Sequence, residues 1–298
     1  MKIVVTGSLG NIGKPLTEEL AGKGHQVVVV SSKDDKRKEI EALGATAAIG
    51  SVEDVEFLSS IFSGADAVYC MVPPNFFAED QVAYYTKVGN SYVKAITDSG
   101  VKRVILLSSY GAHLSAGTGV ILGAHHAESI FSALTDVDLT IMRPGYFYYN
   151  LFNFTGIIRA AGFIASNYGD NDKLLLVSPL DIARAIADEI TSPSPGIRIR
   201  YVVSDDRTCN EVAEALGKSI GLPDLTWKVF TDEQTFNGMT ANGVPKHMAE
   251  NLTELGTAIH SGILREDYDK HQTVTGKVKI DDFAKEFAQA YSSNKSAH

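Results

Sequence analysis

The stretch KIVVTGSLGNIGKPLTEEL, residues 2–20, constrains this chain more than any other. A short β-branched run meets glycine abruptly, and Gly7, Gly10 and Gly13 follow at G-x-x-G-x-x-G spacing. Beyond them Pro15 sits in the first turn of a helix whose face carries Leu16 and Leu20. A buried strand that turns directly into a helix predicts a parallel α/β sheet. The glycines allow a tight turn, bare backbone for a pyrophosphate, and close helix–strand contact. Thr6, Gly7, Gly10, Asn11, Ile12 and Gly13 are therefore expected to hold a dinucleotide. A glycine-rich turn without a ligand is the competing reading, and the strand–turn–helix context weighs against it.

The alternation continues. HQVVVVSS, ATAAIG, DAVYCMV, RVILLSS and DLTIMRPG read as further strands, continuously apolar as strands covered on both faces must be. Between them lie helical patterns over DDKRKEIEALG, VEFLSSIFSG, Asp80 to Ser99, and His125 to Leu134. The expected fold is a doubly wound parallel sheet of the Rossmann type. The pattern weakens after Tyr146. SPLDIARAIADEI predicts a helix followed by a Pro/Ser turn, IRIRYVVS a strand, and Thr208 with Glu211 a capping box. Trp227 falls in a strand TWKVF, and the remainder is mostly helical. Residues 1–150 read as the sheet domain. Residues 151–298 read as a smaller lobe over its carboxyl edge, with segments returning to the core.

A formal charge of −9 opposes adhesion to nucleic acid or anionic membranes, so neither is an expected partner. Cys70 and Cys209 have no metal-ligand spacing. The amino terminus reaches glycine too soon for a signal peptide, and no apolar run approaches the ~20 residues that cross a bilayer. A cytoplasmic location is expected.

The second strand bears on which dinucleotide. An NAD site usually ends this strand with an acid that accepts from the ribose hydroxyl. Here Ser31, Ser32 and Lys33 stand there, with Lys36, Arg37 and Lys38 a turn later. Hydroxyls and cations suit a 2′-phosphate, so NADP (NADPH) is preferred and NAD comes second, served by Asp34 or Asp35. A solvated helix start is the plainer reading of the same charges.

With VTGSLGNIG, GVKRVILLSS and LTIMRPGYFYYN in order, the chain resembles the NmrA-like group of atypical short-chain dehydrogenases/reductases. VSPLDIARAIADEI resembles the segment by which that group returns to its core. The resemblance implies pyrophosphate along Gly7 to Gly13, adenine near Ser51 and Val52, and the nicotinamide ribose along Met71, Val72 and Pro73. It also implies that Ser108 and Pro144 close over the nicotinamide. The group holds both reductases and cofactor sensors without turnover.

The stretch LLSSYGAHLSAGTGVILGAHHAE, Leu106 to Glu128, departs from the wider family. That family uses Tyr-x-x-x-Lys, and no tyrosine of the sheet half stands four residues before a lysine. Reductases of the group often carry lysine or histidine four residues before the glutamate matched here by Glu128; that position is Ala124, beside His125 and His126. Ser109, Tyr110 and His125 are the candidates for acid–base work, against the plainer reading of a cavity lining. A tyrosine without such a lysine titrates near ~10 and is a poor base. Tyr146, Tyr149 and Asn150 follow the sixth strand, where α/β sheets place ligands, and are the candidate substrate contacts. No metal is expected, and no serine sits in a G-x-S-x-G elbow.

Two functions stay open at this point. One is an NADP(H)-dependent oxidoreductase reducing a small apolar carbonyl or quinone. The other is a non-catalytic NADP(H) sensor acting through a protein partner, with a nucleotide-sugar epimerase-like enzyme as a weaker third.

Overall fold

A computed structural model describes residues 1–75, 77–192, 195–271 and 276–293. The chain divides into two compact units, the first comprising residues 1–112, 123–143 and 179–201, the second 113–122, 144–178 and 202–298.

In the first half the elements run β1 (Lys2–Val5), α1 (Gly13–Gly22), β2 (Gln26–Ser31), α2 (Arg37–Ala42), β3 (Thr46–Ile49), α3 (Val55–Phe62), β4 (Ala67–Cys70), α4 (Gln81–Ser99), β5 (Arg103–Leu107), α5 (Leu122–Phe131) and β6 (Asp138–Pro144). In the second half they run β7 (Tyr146–Phe147), α6 (Thr155–Ala161), β8 (Ile164–Ser166), β9 (Lys173–Val177), α7 (Pro179–Thr191), β10 (Ile197–Val202), β11 (Asp205–Thr208), α8 (Cys209–Ile220), β12 (Trp227–Val229), α9 (Asp232–Ala241), α10 (Lys246–His260), α11 (Glu266–His271) and α12 (Ile280–Ser292).

The first unit is built on a seven-stranded sheet in the order β10-β6-β5-β4-β1-β2-β3. Val4 stands opposite both Val28 and Val68, in parallel ladders to either side of β1. β2–β3, β4–β5 and β5–β6 are parallel as well. Strand side chains alternate between faces, and both faces here are apolar. Val4, Val28, Val68 and Val104 join one core with Leu58 and Phe62 of α3 and Val88 and Tyr92 of α4. Ile3, Val5, Val27 and Val29 are buried on the opposite face, where α1 and α7 pack together. Asp54 and Asp80 cap α3 and α4, accepting from the Phe57 and Ala83 N–H groups at 3.0 and 2.9 Å. The Rossmann-type parallel sheet is thus present.

Two elements differ from expectation. α5 begins at Leu122, three residues before His125. Gly123 lies inside the helix because the Tyr85 ring packs there; a Cβ would meet it at 2.6 Å. The segment IRIRYVVS becomes the seventh strand of the main sheet at its edge. The Pro/Ser turn between α7 and β10 lies in part outside the described residues.

The second unit has a three-stranded sheet, β11-β9-β7, and a parallel pair, β12–β8. The capping box of Thr208 and Glu211 opens α8, which packs on α12. Trp227 is fully buried, edge-on to Phe154 at 4.9 Å between centroids, with its indole N–H donating to the Ser166 hydroxyl at 3.0 Å.

Candidate functional site

Parallel pairing brings the carboxyl ends of β1, β2 and β4 to one edge, and a small set of bonds ties their turns together. The Thr6 N–H donates to the Tyr69 carbonyl at 3.1 Å, and the Thr6 hydroxyl accepts from the Met71 N–H at 3.0 Å. Ser8 reaches to the other side, its N–H donating to the Val30 carbonyl at 2.9 Å and its hydroxyl to that of Ser31 at 3.0 Å. Gly7 carries φ +90° and Ser8 φ +57°. That left-handed pair makes the reversal into α1.

The three glycines do different work. At Gly13 a Cβ would lie 2.1 Å from the Ser8 carbonyl oxygen, so the helix can approach the turn only without a side chain. At Gly7 a Cβ would meet the Met71 side chain at 2.8 Å. At Gly10 the nearest atom is the Gly7 carbonyl at 3.4 Å, and Gly10 and Asn11 face outward. Ile12 is buried and no side chain caps α1. The first N–H groups of α1 are thus left without side-chain acceptors, beside a glycine whose missing Cβ leaves space. This arrangement fits a pyrophosphate.

Ser31 does not face solvent. It is buried, with its hydroxyl between Ser8 and the Lys33 backbone. Ser32, Lys33 and Arg37 are exposed, and Arg37 pairs with Asp34 at 2.8 Å on the surface. After β3, the exposed Ser51 caps its own turn by accepting from the Glu53 N–H at 3.1 Å, while Val52 packs on the core. After β4, Met71 lies over Gly7, Val72 is buried, and the carbonyls of Met71 and Pro73 accept from the Tyr92 and Tyr84 phenols, each at 2.9 Å.

At the end of β5, Ser108 donates to Glu128 of α5 at 2.5 Å. Glu128 is gripped by Arg143 of β6 in a two-pronged pair, Nε to Oε1 at 2.9 Å and Nη2 to Oε2 at 2.6 Å. The third arginine nitrogen donates to the Tyr201 phenol at 3.0 Å. Burial opposes the guanidinium charge, but the Glu128 bonds and charge outweigh it and hold Arg143 above its ordinary range. Sequence reasoning missed Arg143 and Tyr201. The available signal was an arginine inside the apolar strand DLTIMRP.

Ser109 is half-buried and Tyr110 buried. His125 places Nδ1 2.9 Å from the Ala112 carbonyl. A carbonyl can only accept, so Nδ1 carries the proton and Nε2 is the exchangeable nitrogen. The Tyr-x-x-x-Lys spacing does occur once, at Tyr291 and Lys295 near the end of the chain. Tyr291 lies under the Arg159 guanidinium, 4.7 Å from ring centroid to Cζ, and Lys295 is outside the described residues.

Pro144 ends β6 and is buried. In the second unit, the Tyr146 phenol lies 3.2 Å from that of Tyr168, and burial pushes its pKa up. Tyr149 stacks on Phe147 at 5.0 Å and Asn150 is half-buried, whereas Tyr148 belongs to the core against Phe283. Among the described residues no three of His, Cys, Asp and Glu gather where a metal could sit. Among them, too, no helix is long and apolar enough to cross a membrane.

The family model for NAD(P)H-binding proteins matches residues 7–193, more than half of the chain. The chain belongs to this NAD(P)H-binding family. That membership agrees with the NmrA-like resemblance read from the glycine turn and the strands after it. Among relatives of this NAD(P)H-binding chain, the NAD(P)H azoreductase of Xenophilus azovorans is 26% identical over 295 residues, which are 97% of this chain and 99% of that one. The fold is similar to that of triphenylmethane reductase from Citrobacter sp., with a TM-score of 0.80 at 21% identity over 97% of this chain and 100% of that one. It is also similar to an NADPH-dependent quinone oxidoreductase from Escherichia coli, with a TM-score of 0.77 at 18% identity over 98% and 99%.

Proposed function

We propose that this protein is an NADP(H)-dependent oxidoreductase that delivers hydride to a small, largely apolar acceptor, a quinone or an activated carbonyl. The observation that carries the proposal is the turn at Gly7 to Gly13, open at Gly10 and closed at Gly13. The end-to-end relationship to an azoreductase supports it. Bound NADPH would supply the hydride. The chain's own residues then bind, orient and move a proton.

Gly7, Gly10, Asn11, Ile12 and Gly13 would seat the pyrophosphate, with Thr6 fixing the turn beneath. The exposed Ser32 and Lys33, with Arg37 released from Asp34, would take the 2′-phosphate. An exposed pair of that kind is worth little and gives way readily. Buried Ser31 would hold the turn from below. Ser51 and Val52 would border the adenine, and Met71, Val72 and Pro73 the nicotinamide ribose. Ser108 and Pro144 would flank the nicotinamide. Tyr146, Tyr149 and Asn150 are proposed as acceptor contacts.

Reduction of a quinone to a hydroquinone takes one hydride and one proton. A quinone is electrophilic enough that positioning supplies much of the rate. A simple carbonyl needs a proton delivered as the hydride arrives. His125, with Nδ1 held by Ala112 and Nε2 able to carry a second proton, is the proposed donor, with Ser109 and Tyr110 as the other candidates. Alcohol oxidation runs the proton the other way, and the residue four places after Tyr110 is Leu114 rather than a lysine, so it should be slow.

The test is NADPH consumption with a panel of quinones and enones, run beside NADP⁺ reduction with a panel of alcohols. Quinone turnover well above alcohol oxidation is expected. Fast alcohol oxidation would mean that a strong base is present. Tight NADPH binding with no turnover on any acceptor would favour the sensor.

A further inference from the structure

We infer that Ser108 meets the nicotinamide as a hydrogen-bond acceptor, locked into that role by Glu128 and Arg143, and takes an N–H of the carboxamide rather than giving a proton away. The inference rests on the NAD(P)H-binding reading and deepens it.

A serine hydroxyl has one proton and two lone pairs. The Ser108 oxygen lies 2.5 Å from Glu128 Oε1, so one of the two groups must supply the proton between them. Glu128 does not supply it. Both its oxygens accept from Arg143, and the two side chains are only 10% and 5% exposed. A fork-to-fork pair with a permanently charged guanidinium requires the carboxylate form, which has no proton to give. The proton is therefore Ser108's own, and it is spent on Glu128.

Further bonds hold this arrangement in place. Arg143 is fixed on its third side by the Tyr201 phenol, and the Ser108 N–H donates to the Met142 carbonyl at 2.8 Å, which holds the serine backbone at the strand end. Only lone pairs are left to face a ligand. A nicotinamide carries a carboxamide with two N–H donors and one carbonyl acceptor. A lone-pair-only hydroxyl can match the amide nitrogen and is repelled by the carbonyl oxygen. Glu128 and Arg143 are thus positioning residues: they touch no ligand but decide which end of the carboxamide Ser108 can bind. By the same argument Ser108 is no proton donor to an acceptor.

The test is calorimetric and needs no turnover. Binding of NADPH is compared with that of its reduced 3-acetylpyridine analogue, which keeps the carbonyl and replaces the amide nitrogen by a methyl group. The wild type should bind NADPH about 3–10-fold more tightly than the analogue, the worth of one neutral hydrogen bond. Ser108→Ala should weaken NADPH by that factor and leave the analogue within about 2-fold, erasing the discrimination. Ser108→Thr keeps the hydroxyl and should keep it. Glu128→Ala removes the acceptor, releases the serine proton and should shrink it. Equal weakening of both ligands by Ser108→Ala would show a serine that donates to the shared carbonyl, and would overturn the inference. Discrimination that survives Ser108→Ala would overturn it too. A protein with the expected binding pattern that reduces no acceptor sinks the oxidoreductase reading and leaves this one standing.

Discussion

Gly13 lies so close under Ser8 that a single methyl group on its Cα would sit 2.1 Å from the Ser8 carbonyl oxygen. The obstacle is backbone, held by the Ser8 N–H bond to Val30 and unable to rotate aside. Gly13→Ala should therefore cost about 1–3 kcal/mol of stability, read as a lower urea midpoint at unchanged slope. Gly10→Ala meets only a 3.4 Å contact and should fold normally while binding NADPH more weakly. Gly10→Asp should fold and lose binding, because a side chain and a negative charge would both occupy the pyrophosphate space. Wild-type affinity in a folded Gly10→Asp variant would sink the site assignment.

Coenzyme preference should be read at the exposed residues after β2. Lys33→Ala and Arg37→Ala are each expected to weaken NADPH by about 10-fold and leave NADH almost untouched, since a charge-assisted bond to phosphate is lost. Ser31→Asp should act differently: it would place a carboxylate in the buried pocket beside Ser8 and lower stability before altering preference. Titration of each variant with both coenzymes checks this. A native preference for NADH would end the phosphate reading.

Acid should unfold the first unit partly through Glu189. This buried carboxylate on α7 accepts from Arg103 at 3.0 Å, from Arg200 at 2.9 Å, from Thr140 at 3.1 Å and from Arg198. Burial pushes its pKa up, but the bonds and charges of Arg198 and Arg200 prevail and hold it below the usual carboxylate range. A depressed folded pKa contributes stability that is complete above the unfolded value of about 4.3 and is lost as pH falls through the folded one. Glu189→Gln leaves the buried Arg103 short of a counter-charge and should cost about 3–5 kcal/mol near neutral pH. The gap between variant and wild type should narrow below pH ~4. A gap independent of pH would refute the linkage.

His125 should matter to some acceptors more than others. His125→Phe is expected to slow carbonyl reduction by about 100-fold, the usual worth of a positioned proton donor, and quinone reduction far less. Parallel kcat measurements on one quinone and one activated aldehyde decide it. Equal losses on both would mark His125 as a packing residue.

The sheet was legible because strands buried on both faces must be apolar throughout, as VVVV at 27–30 is. The glycine turn was legible because its spacing follows from local sterics. What escaped was whatever long-range contact decides. Gly123 looks like a helix breaker until Tyr85, far away in sequence, is seen to need its space. Of two neighbouring serines, Ser31 is the last residue of β2 and is buried against Ser8 and the Lys33 backbone, whereas Ser32 lies just past the strand and is exposed, a difference set by the glycine turn reaching across from β1. Arg143 shows its role only when α5 brings Glu128 against it.

Trp227, the only tryptophan of the chain, lies wholly in the second unit, sealed among Phe154, Tyr168 and Ser166. Indole emission therefore reports on that unit alone, and the glycine turn and its sheet are dark to it. The first unit has its own silent reporter in Cys70, whose thiol is buried and pushed up in pKa, so that it reacts with a disulfide reagent only when the sheet opens. Cys209 is a second buried thiol and lies in the other unit, so the experiment uses a Cys209→Ala variant. Fluorescence and thiol exposure of that variant, followed together along one denaturant gradient, give separate clocks for the two halves of the molecule. Coincident transitions would mean that the chain unfolds as one cooperative body, and separated ones that each unit keeps its own stability.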